Sequence, residues 1–425
     1  MSDELLTLLD GKVIGSVVRS RNGKLTFHYL RAWHEDEDAY PLSLSMPLSG
    51  DEYGHSVIEA FLWGLLPDNE QVIDRWAKKY QVSARSVFAL LSNVGEDCAG
   101  AVQFIRPERL EDVLSGTDDE IDWLDDGDLA QRLKLLREDH AAWRLPGDAG
   151  QFSLAGAQPK TALLYEDGRW GVPSGKLATT HILKPPTGHF DGHAENEHIC
   201  LRLANSLDIP TAFTEVMRFK DEVAISVRRY DRLRSANRIT RVHQEDICQA
   251  LGVLPTSKYQ NDGGPGASQI VALLRGVSSN PDEDIRTFID ALGFNWLIAG
   301  TDAHAKNYSV LLSGSSRVRL APLYDVASLL PYKQYNSHKA KLAMKVGGEY
   351  RLHNIGKRHW EKFAAELGVD QFFLMERLRH MAERLPDEVG KVCRTAKENG
   401  LNNLTIERLA RAVTERSINC AKMLS

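Results

Sequence analysis

Three polar residues in the second half of the sequence have the spacing that phosphoryl transfer requires. Asp302 and Asn307 lie five positions apart in the segment Ala299-Gly-Thr-Asp-Ala-His-Ala-Lys-Asn-Tyr308, and Asp325 follows eighteen residues later. Protein kinases use an Asp to accept the proton of the substrate hydroxyl, and a following Asn and a later Asp to hold magnesium. The spacing therefore predicts Asp302 as the proton acceptor and Asn307 and Asp325 as oxygen ligands of Mg²⁺.

The same residues have an ordinary structural interpretation. Asp302 could cap a helix, His304 could be a polar loop residue and Asp325 could end a strand, since Asp and Asn are common in turns. The apolar segment from Ile285 to Ala299 favours the catalytic hypothesis. It predicts a buried helix, which would hold the following loop on a rigid support.

Two further features bear on the catalytic hypothesis. Residues 308–312 and 318–323 have the pattern of a hairpin, which would return Asp325 to the side of Asn307. His304 gives the loop the form D-x-H-x-x-N, which is closer to phosphoinositide kinases than to the H-R-D motif of typical protein kinases. A lipid or small-molecule kinase is therefore an alternative.

A kinase must also bind triphosphate, and the sequence contains neither G-x-x-x-x-G-K-[ST] nor a well-placed G-x-G-x-x-G. Instead, Ser153-Leu-Ala-Gly-Ala-Gln-Pro-Lys160 offers backbone N–H groups that could approach phosphate oxygens, although it could equally be a turn. Lys184 ends an apolar strand pattern, where a kinase has its phosphate-binding lysine. Glu197 in the next predicted helix is its candidate ion-pair partner; a surface lysine and a helix with acidic residues in its first turn are the alternative.

The predicted strand Glu222 to Val227 leads into a candidate hinge for adenine. This segment contains Arg228, Arg229 and Tyr230, and adenine could pack near Tyr230. A basic surface turn is the alternative, and the sequence does not distinguish the two.

The N-terminal part of the sequence predicts a small α+β module. Asp10-Gly11 and Asn22-Gly23 separate runs rich in Val, Leu and aromatic residues, which indicates an antiparallel meander with two-residue hairpin turns. Residues 57–66 and 71–80 have helical spacing. The module is expected to end near Pro107.

The segment from Glu108 to Asp128 contains ten acidic residues and one arginine. This composition predicts a solvated, mobile connection. The elements predicted beyond it are a helix at 129–143, a hairpin at 160–172, a helix at 194–207 and mostly helical structure after Asp246.

The composition is that of a globular protein. The 425 residues include 52 Lys and Arg against 58 Asp and Glu, with 43% hydrophobic and 26% charged residues. These values exclude disordered, collagenous and fibrous classes. The net charge of −6 gives no general attraction to nucleic-acid phosphates, although a local basic patch would be compatible with it.

Five cysteines lie far apart, without a C-x-x-C pair or a nearby His at metal-ligand spacing. An odd and scattered set is typical of reduced thiols in a cytosolic protein. The N-terminus lacks the basic and apolar regions of a signal peptide, and no apolar run approaches about 18 residues. We therefore expect a cytoplasmic protein that is neither exported nor membrane-spanning.

In combination, these segments resemble the HipA family, the kinase toxins of bacterial type II toxin–antitoxin modules. The matching segments run in family order over nearly the whole chain, and only their combination is specific. They are Pro41-Leu-Ser-Leu-Ser-Met-Pro47, Asn93-Val-Gly-Glu-Asp-Cys-Ala-Gly-Ala-Val102, Leu154-Ala-Gly-Ala-Gln-Pro-Lys160, Asn196-Glu197, Tyr230-Asp-Arg232, Gln244-Glu-Asp246, Asp262-Gly-Gly-Pro-Gly266, Thr301-Asp-Ala-His-Ala-Lys-Asn307 and Tyr324-Asp325.

The resemblance implies an α+β, bilobal, protein-kinase-like fold with a small N-terminal α+β subdomain. The expected divisions are an N-terminal subdomain at 1–107, an acidic connection and helix at 108–150, a β-rich nucleotide-binding lobe at 151–245 and a helical catalytic lobe at 246–425.

The resemblance also implies a role for each matching residue. Asp302 would be the catalytic base of an ATP- and Mg²⁺-dependent serine/threonine kinase, Asn307 and Asp325 the metal ligands, and Ser153 the site of autophosphorylation that ejects the phosphate loop. The nucleotide contacts would be Ala155, Gly156, Ala157, Gln158, Pro159, Lys160, Lys184, Glu197, Arg228, Arg229, Tyr230, His304, Ala305, Lys306 and Asn307.

The partners that the resemblance implies are a protein substrate, an aminoacyl-tRNA synthetase, and a small helix-turn-helix antitoxin similar to HipB. Phosphorylation of the synthetase would halt translation, and the antitoxin would carry the complex to operator DNA for transcription repression. A catalytically silent co-repressor is the alternative from another functional class.

Overall fold

The computed structural model describes residues 3–145, 148, 152–186, 192–235, 238–335 and 339–425. The chain forms two compact units, each assembled from three stretches of sequence. The first, here called the sheet unit, comprises Met1–Thr187, Met217–Thr256 and Ser309–Val318. The second, here called the helical unit, comprises Gly188–Val216, Ser257–Tyr308 and Arg319–Ser425.

The sheet unit begins with a five-stranded antiparallel sheet. Its strands are β1 (Asp3–Leu9), β2 (Lys12–Arg19), β3 (Leu25–Tyr29), β4 (Glu52–Tyr53) and β5 (Val102–Ile105), in the order β4-β3-β2-β1-β5. Asp10 and Gly11 have φ values of 44° and 84° and form the predicted two-residue turn. The prediction for Asn22-Gly23 was wrong in detail, because these residues lie in a longer turn that Ser20 closes with bonds to Gly23 and Lys24.

Four helices and the segment after them share one apolar core with this sheet. The helices are α1 (Arg31–His34), α2 (His55–Gly64), α3 (Glu70–Tyr80) and α4 (Val87–Val94). The side chains of Asn69 and Ser86 cap α3 and α4, each accepting a backbone N–H bond. Trp143, Phe152 and Leu154 belong to the same core, so the N-terminal module and the start of the predicted phosphate loop are packed together.

A second, six-stranded sheet follows. Its strands are β6 (Ile121–Leu124), β7 (Thr161–Glu166), β8 (Arg169–Pro173), β9 (His181–Lys184), β10 (Thr214–Phe219) and β11 (Glu222–Arg228), in the order β10-β11-β9-β7-β8-β6. Asp167 and Gly168 have φ values of 49° and 80° and form the predicted hairpin turn. The order places β9 in the interior of the sheet, with Lys184 opposite Ile225 of β11.

The acidic segment is not the mobile connection that its composition predicted. It forms α5 (Leu110–Ser115), the edge strand β6 and the start of α6 (Asp126–Glu138). Ile121 to Leu124 pair with β8, and the Trp123 ring packs under Arg169 at 4.0 Å. The acidic residues around this apolar strand have local uses: Asp125 caps α6, and Asp118 pairs with Arg109.

The remaining elements of the sheet unit are short. They are β12 (Arg232–Ser235), β13 (Arg238–Arg241), β14 (His243–Asp246), α8 (Ile247–Ala250) and β15 (Ser309–Ser313). A three-stranded sheet has the order β14-β15-β16, where β16 is Arg317–Leu320. The adjacent β15 and β16 confirm the predicted hairpin.

The helical unit is dominated by α-helices. They are α7 (His193–Ser206), α9 (Ala267–Val277), α10 (Pro281–Ile298), α11 (Lys357–Leu367), α12 (Gln371–Glu398) and α13 (Leu404–Leu424), accompanied by the hairpin β17 (Lys341–Val346) and β18 (Glu349–Arg351). As predicted, α10 is apolar on most faces. Phe288, Phe294 and Trp296 are fully buried, and Trp296 packs edge-on against Trp360 of α11.

The predicted fold class, α+β with a β-rich part and a helical part, is confirmed. The compact units are discontinuous in sequence, whereas the predicted boundaries at 107, 150 and 245 are continuous divisions and remain a prediction. Within the described ranges, no helix is long and apolar enough to cross a membrane.

Candidate active site

The candidate catalytic loop leaves the buried end of α10 through a tight backbone turn. Ala299 adopts the left-handed conformation with φ of 54°, and the N–H of Gly300 donates to the Asn295 carbonyl over 2.8 Å. A Cβ atom on Gly300 would lie 2.1 Å from Asn295 Oδ1. A larger residue where the chain passes from the helix into the loop would therefore require the Asn295 side chain to move.

Within this loop, Asp302 and Asn307 are joined through the backbone. Asn307 Nδ2 donates to the Asp302 carbonyl over 2.7 Å, and the His304 N–H donates to the same oxygen over 2.8 Å. The Asp302 side chain is exposed, and its Oδ1 accepts a hydrogen bond from the Tyr259 hydroxyl over 2.6 Å. The loop thus presents a solvent-facing carboxylate at one end and an amide at the other.

Asp325 approaches this loop through contacts of its neighbours. The Tyr324 hydroxyl donates to the Lys306 carbonyl over 2.8 Å, which places the residue before Asp325 beside the residue before Asn307. Asp325 has a φ of 56°, a conformation uncommon for residues other than glycine and often found at functional sites. The structure therefore places the segment that carries Asp325 next to the loop that carries Asp302 and Asn307 in the helical unit.

Asn196 supports the segment after Asp325 and was not among the predicted site residues. Its Nδ2 donates to the Ser328 carbonyl over 2.7 Å, and its Oδ1 accepts the Ser328 N–H over 3.1 Å. Ser328 Oγ in turn donates to the Ile298 carbonyl at the end of α10. Asn196 belongs to the family segment Asn196-Glu197, which was the only sequence signal for it.

The other residues of the candidate catalytic loop are largely buried. His304, Ala305 and Lys306 have at most 5% of their surface exposed. The His304 ring packs edge-on against Tyr259 with the ring centroids 4.9 Å apart. Their predicted contacts with nucleotide remain a prediction.

In the sheet unit, the predicted phosphate loop is docked against the connection between α2 and α3. Ser153 is fully buried, its Oγ donates to the Leu65 carbonyl over 2.8 Å, and its N–H donates to the Asp97 carbonyl. The Asp68 N–H donates to the Gly156 carbonyl over 3.1 Å. The loop is therefore a packed part of the unit.

Lys160 is turned back into this loop. Its Nζ donates to the Ala155 carbonyl over 3.0 Å and lies 4.4 Å from the centre of the Trp143 ring, a cation–π distance. Gly156 has a φ of 101°, and a Cβ atom there would lie 2.8 Å from Lys160 Nζ. Ala157 is exposed, Gln158 half-buried and Pro159 buried.

Lys184 and Glu197 belong to different compact units. Lys184 lies on β9 and is 6% exposed, and Glu197 lies on α7 and is 1% exposed. The near-complete burial of Lys184 does not fit the alternative of a surface lysine. Their pairing remains a prediction.

The candidate hinge is not a basic surface turn. Arg228 is exposed, but the Arg229 side chain is buried, and its backbone N–H donates to the Thr180 carbonyl over 2.9 Å. The Tyr230 hydroxyl donates to Gln244. The Arg229 carbonyl accepts the Arg232 N–H over 3.3 Å. The contact of this segment with adenine remains a prediction.

Arg229 is part of what we call the buried ionic cluster, which sequence reasoning missed. Its members are Asp97, Asp231, Arg229, Arg232 and Arg241. Arg232 contacts Asp97 at 2.7 Å and Asp231 at 3.0 Å, while Arg229 contacts the same two carboxylates at 3.3 and 2.8 Å. The cluster joins two of the family segments, Asn93 to Val102 and Tyr230 to Arg232, whose spacing in sequence gave no sign of the contact.

Like charges and burial affect ionisation in this cluster. Burial and the nearby Arg229 lower the pKa of Arg232 to about 10. Burial by itself would raise the pKa of Asp97, but Arg232, Arg229 and Arg241 outweigh it and hold that pKa well below its ordinary value. Asp97 therefore stays ionised in the folded protein.

Among the residues that the structure describes, no three or more His, Cys, Asp or Glu side chains form a group that could hold a metal. Such a group is not required for Mg²⁺ in a kinase, because one or two protein oxygens combine with phosphate oxygens and water. The predicted ligands Asn307 and Asp325 carry an amide and a carboxylate oxygen, which are hard ligands of the kind that Mg²⁺ prefers.

Comparison with known proteins is consistent with this arrangement. The family model of the HipA N-terminal domain matches residues 5–105, and that of the HipA-like C-terminal domain matches residues 152–389, more than half of the chain. The chain belongs to the HipA family. This is a family of serine/threonine kinase toxins, so the resemblance seen in the sequence is confirmed.

Two relatives and one solved structure illustrate the relationship. The chain is 35% identical to Y4mE of Sinorhizobium fredii, a protein named as a kinase, over 96% of both chains. It is 29% identical to the serine/threonine-protein kinase toxin HipA of Shewanella oneidensis, over 86% of this chain and 83% of that one. The solved complex of Shewanella oneidensis HipA, HipB and operator DNA matches with a TM-score of 0.83 and 26% identity, over 99% of this chain and 98% of that one.

Proposed function

We propose that this chain is an ATP- and magnesium-dependent serine/threonine protein kinase that acts as the toxin of a toxin–antitoxin pair. One observation carries the proposal. Asn307 donates to the Asp302 carbonyl, and Tyr324 donates to the Lys306 carbonyl. These two bonds connect the segments that carry the Asp302 carboxylate, the Asn307 amide and the Asp325 carboxylate. Phosphoryl transfer depends mainly on such positioning and on charge stabilisation.

In this proposal, Asp302 accepts the proton of the substrate serine or threonine hydroxyl. Its exposed carboxylate is accessible to a protein substrate. Asn307 binds metal through Oδ1, because its Nδ2 already donates to Asp302, and Asp325 binds through its carboxylate. Magnesium-bound ATP, when present, supplies the phosphoryl group.

The proposed nucleotide contacts of the sheet unit lie in three segments. They are the loop from Ala155 to Lys160, Lys184 on β9, and Arg228 to Tyr230. Lys184 lies on an interior strand with 6% of its surface exposed, which supports this proposal against the alternative of a surface lysine. Glu197 is the proposed counter-charge from α7.

We also propose that Ser153 is autophosphorylated and that this modification inactivates the enzyme. Ser153 is fully buried and bonded to the Leu65 carbonyl, so the loop must leave its position before the hydroxyl can accept a phosphoryl group. A phosphate adds nearly two negative charges, which cannot return to a dry site beside a carbonyl oxygen. The modified loop would therefore stay displaced, and the proposed phosphate contacts would be lost.

The proposed protein target is an aminoacyl-tRNA synthetase, and the proposed partner is a small helix-turn-helix antitoxin. The Shewanella oneidensis complex, which contains HipA, HipB and operator DNA, supports an antitoxin and DNA as partners of this chain. The net charge of −6 agrees with DNA contact made mainly through the partner.

The test is incubation of the full chain with Mg-ATP, alone and with cell lysate, followed by phosphosite mapping. We expect phosphate on Ser153 and on serine or threonine of a lysate protein, and growth arrest on expression. Asp302→Ala and Asp325→Ala should abolish all three while remaining folded. Asp36→Ala, which removes a surface partner of Lys12, is the matched control.

Retention of phosphorylation and growth arrest in the Asp302 and Asp325 variants would refute the proposed site. Absence of any transfer by the unmodified chain would favour a catalytically silent co-repressor. Transfer to phosphoinositides but not to protein would favour the lipid-kinase alternative.

A further inference from the structure

We infer that Tyr259 is the positioning residue of the Asp302 carboxylate, an inference that rests on the proposed function. Tyr259 immediately precedes the short 3-10 turn Gln260–Asp262 of the helical unit. Its hydroxyl donates to Asp302 Oδ1 over 2.6 Å, a distance typical of a strong bond to a charged acceptor. Nothing in the spacing of the catalytic loop itself indicates this residue.

The Tyr259 segment contacts the catalytic loop at two further places. The Tyr259 ring packs edge-on against the His304 ring with the centroids 4.9 Å apart. The Lys258 carbonyl accepts the Ala305 N–H over 3.4 Å. These contacts hold the backbone and ring of Tyr259 in place relative to the loop. Its hydroxyl bond therefore restricts the orientation of the Asp302 carboxylate.

Tyr259 is itself held by a compact turn. Its carbonyl accepts the N–H of Asp262 over 3.0 Å and of Gly264 over 2.9 Å. A Cβ atom on Gly264 would lie 2.0 Å from the Ser257 carbonyl oxygen, so only glycine fits. The family segment Asp262-Gly-Gly-Pro-Gly266, for which the sequence suggested no role, is thereby explained as the support of Tyr259.

The geometry divides the two oxygens of Asp302 between two tasks. Oδ1 is bonded to Tyr259, which restricts rotation of the carboxylate and leaves Oδ2 for the substrate hydroxyl. As the substrate oxygen bonds to the γ-phosphorus and ADP departs, the proton passes from that oxygen to Oδ2. Tyr259 keeps its own proton throughout.

This arrangement predicts a loss of maximal rate without a loss of nucleotide binding. A hydrogen bond to a charged group corresponds to about ten- to hundredfold in rate when it acts on the reacting group. Tyr259→Phe removes the hydroxyl and keeps the ring against His304. Tyr259→Ala removes both and should have the larger effect.

The experiment measures transfer from radiolabelled Mg-ATP to the full chain at varied ATP concentration, with binding of a fluorescent ATP analogue measured separately. For Tyr259→Phe we expect a maximal rate about ten- to hundredfold lower. The half-saturating ATP concentration and the affinity for the analogue should change less than about twofold. In an Asp302→Asn background, the same substitution should lower the residual rate less than about twofold, because the charged acceptor is already gone.

Tyr29→Phe is the matched control for lost stability. It removes a buried hydroxyl that donates to Met46 and accepts from Leu42 in the sheet unit, so it should lower the thermal midpoint without lowering the maximal rate.

Several results would overturn the inference. An unchanged maximal rate in Tyr259→Phe, a parallel loss of nucleotide affinity, or a full additional loss in the Asp302→Asn background would each do so. Phosphate found on Tyr259 would make it an acceptor instead. No transfer by the unmodified chain would refute the proposed function itself.

Discussion

Asp97→Ala should destabilise the sheet unit strongly. The Asp97 carboxylate accepts hydrogen bonds from the backbone and hydroxyl of Thr179 and from Arg229 and Arg232. Its removal would leave the three arginines of the buried ionic cluster with the single carboxylate of Asp231. All of these side chains are less than 10% exposed, so water cannot replace the lost partner.

The expected magnitude follows from the burial of the cluster. Removing one partner of a buried ion pair costs about 3–5 kcal/mol, out of a total stability of about 5–15 kcal/mol. With a urea dependence of about 2 kcal/mol per molar, a loss of about 4 kcal/mol lowers the unfolding midpoint by about 2 M. We expect this shift in the transition that unfolds the sheet unit.

The pH dependence of the loss has a defined sign. Because the folded-state pKa of Asp97 lies below its ordinary value near 3.8, its contribution is present above that value and is lost as pH falls through the folded pKa. The difference between the native chain and Asp97→Ala should therefore be constant between about pH 8 and pH 5 and shrink below about pH 4.

Urea unfolding followed by tryptophan fluorescence at several pH values measures both effects. Asp36→Asn, which changes a half-buried carboxylate paired with Lys12 at the surface, should leave the midpoint unchanged. A loss for Asp97→Ala below about 1 kcal/mol, or one that does not shrink in acid, would refute the reasoning.

Three further predictions concern other buried polar groups. Burial raises the pKa of Glu245 to about 8, so the folded protein holds a proton that the unfolded chain releases near pH 4.5. The free energy of unfolding should therefore fall as pH rises from about 4.5 to 8. The fall should be less steep in Glu245→Gln. Asn196→Ala leaves the N–H and carbonyl of Ser328 unpaired, so it should cost about 3 kcal/mol in urea unfolding and slow phosphoryl transfer at saturating ATP. Ser153→Asp places a carboxylate beside the Leu65 carbonyl, so amide hydrogen exchange across 152–160 should rise by at least about hundredfold, as displacement of the loop requires.

Each of these has its own control and contradicting result. For Glu245, an equal slope in the glutamine variant would show that another group titrates. For Asn196, full activity despite lost stability would contradict the prediction that it supports the segment of Asp325. The matched control is Asn93→Ala, which deletes an amide side chain in the sheet unit. For Ser153, alanine is the control, since it removes one hydrogen bond without adding charge, and unchanged exchange in the aspartate variant would contradict the loop argument.

Elements with a local signal were predicted correctly. The turns at Asp10-Gly11 and Asp167-Gly168 follow from residues that accept positive φ. The buried helix α10 follows from an apolar surface on most of its faces. Asp302, Asn307 and Asp325 were predicted as catalytic residues because a short loop and one hairpin set their spacing, and their roles remain a prediction.

The errors have a common origin in tertiary context. The acidic segment was predicted to be mobile from its net charge alone. The sequence around it does not show that Ile121 to Leu124 pair with β8 as an edge strand. The sequence left open whether Arg229 lies in a hinge or in a basic surface turn, because Asp97, its partner, lies 132 positions away. Asn22-Gly23 forms a longer turn because Arg19 and Leu25 are the last paired residues of β2 and β3.

The sequence by itself determined the family and the fold class, because these depend on residue types at short, regular spacing. The roles of Asp302, Asn307 and Asp325 are predicted from the same kind of spacing. Only the tertiary structure decided that Arg229 belongs to the buried ionic cluster, that Ser153 lies in a packed loop and that Tyr259 reaches Asp302. These depend on contacts between residues 43 or more positions apart. Such contacts are selected by the folded arrangement of whole elements, and no local pattern encodes them.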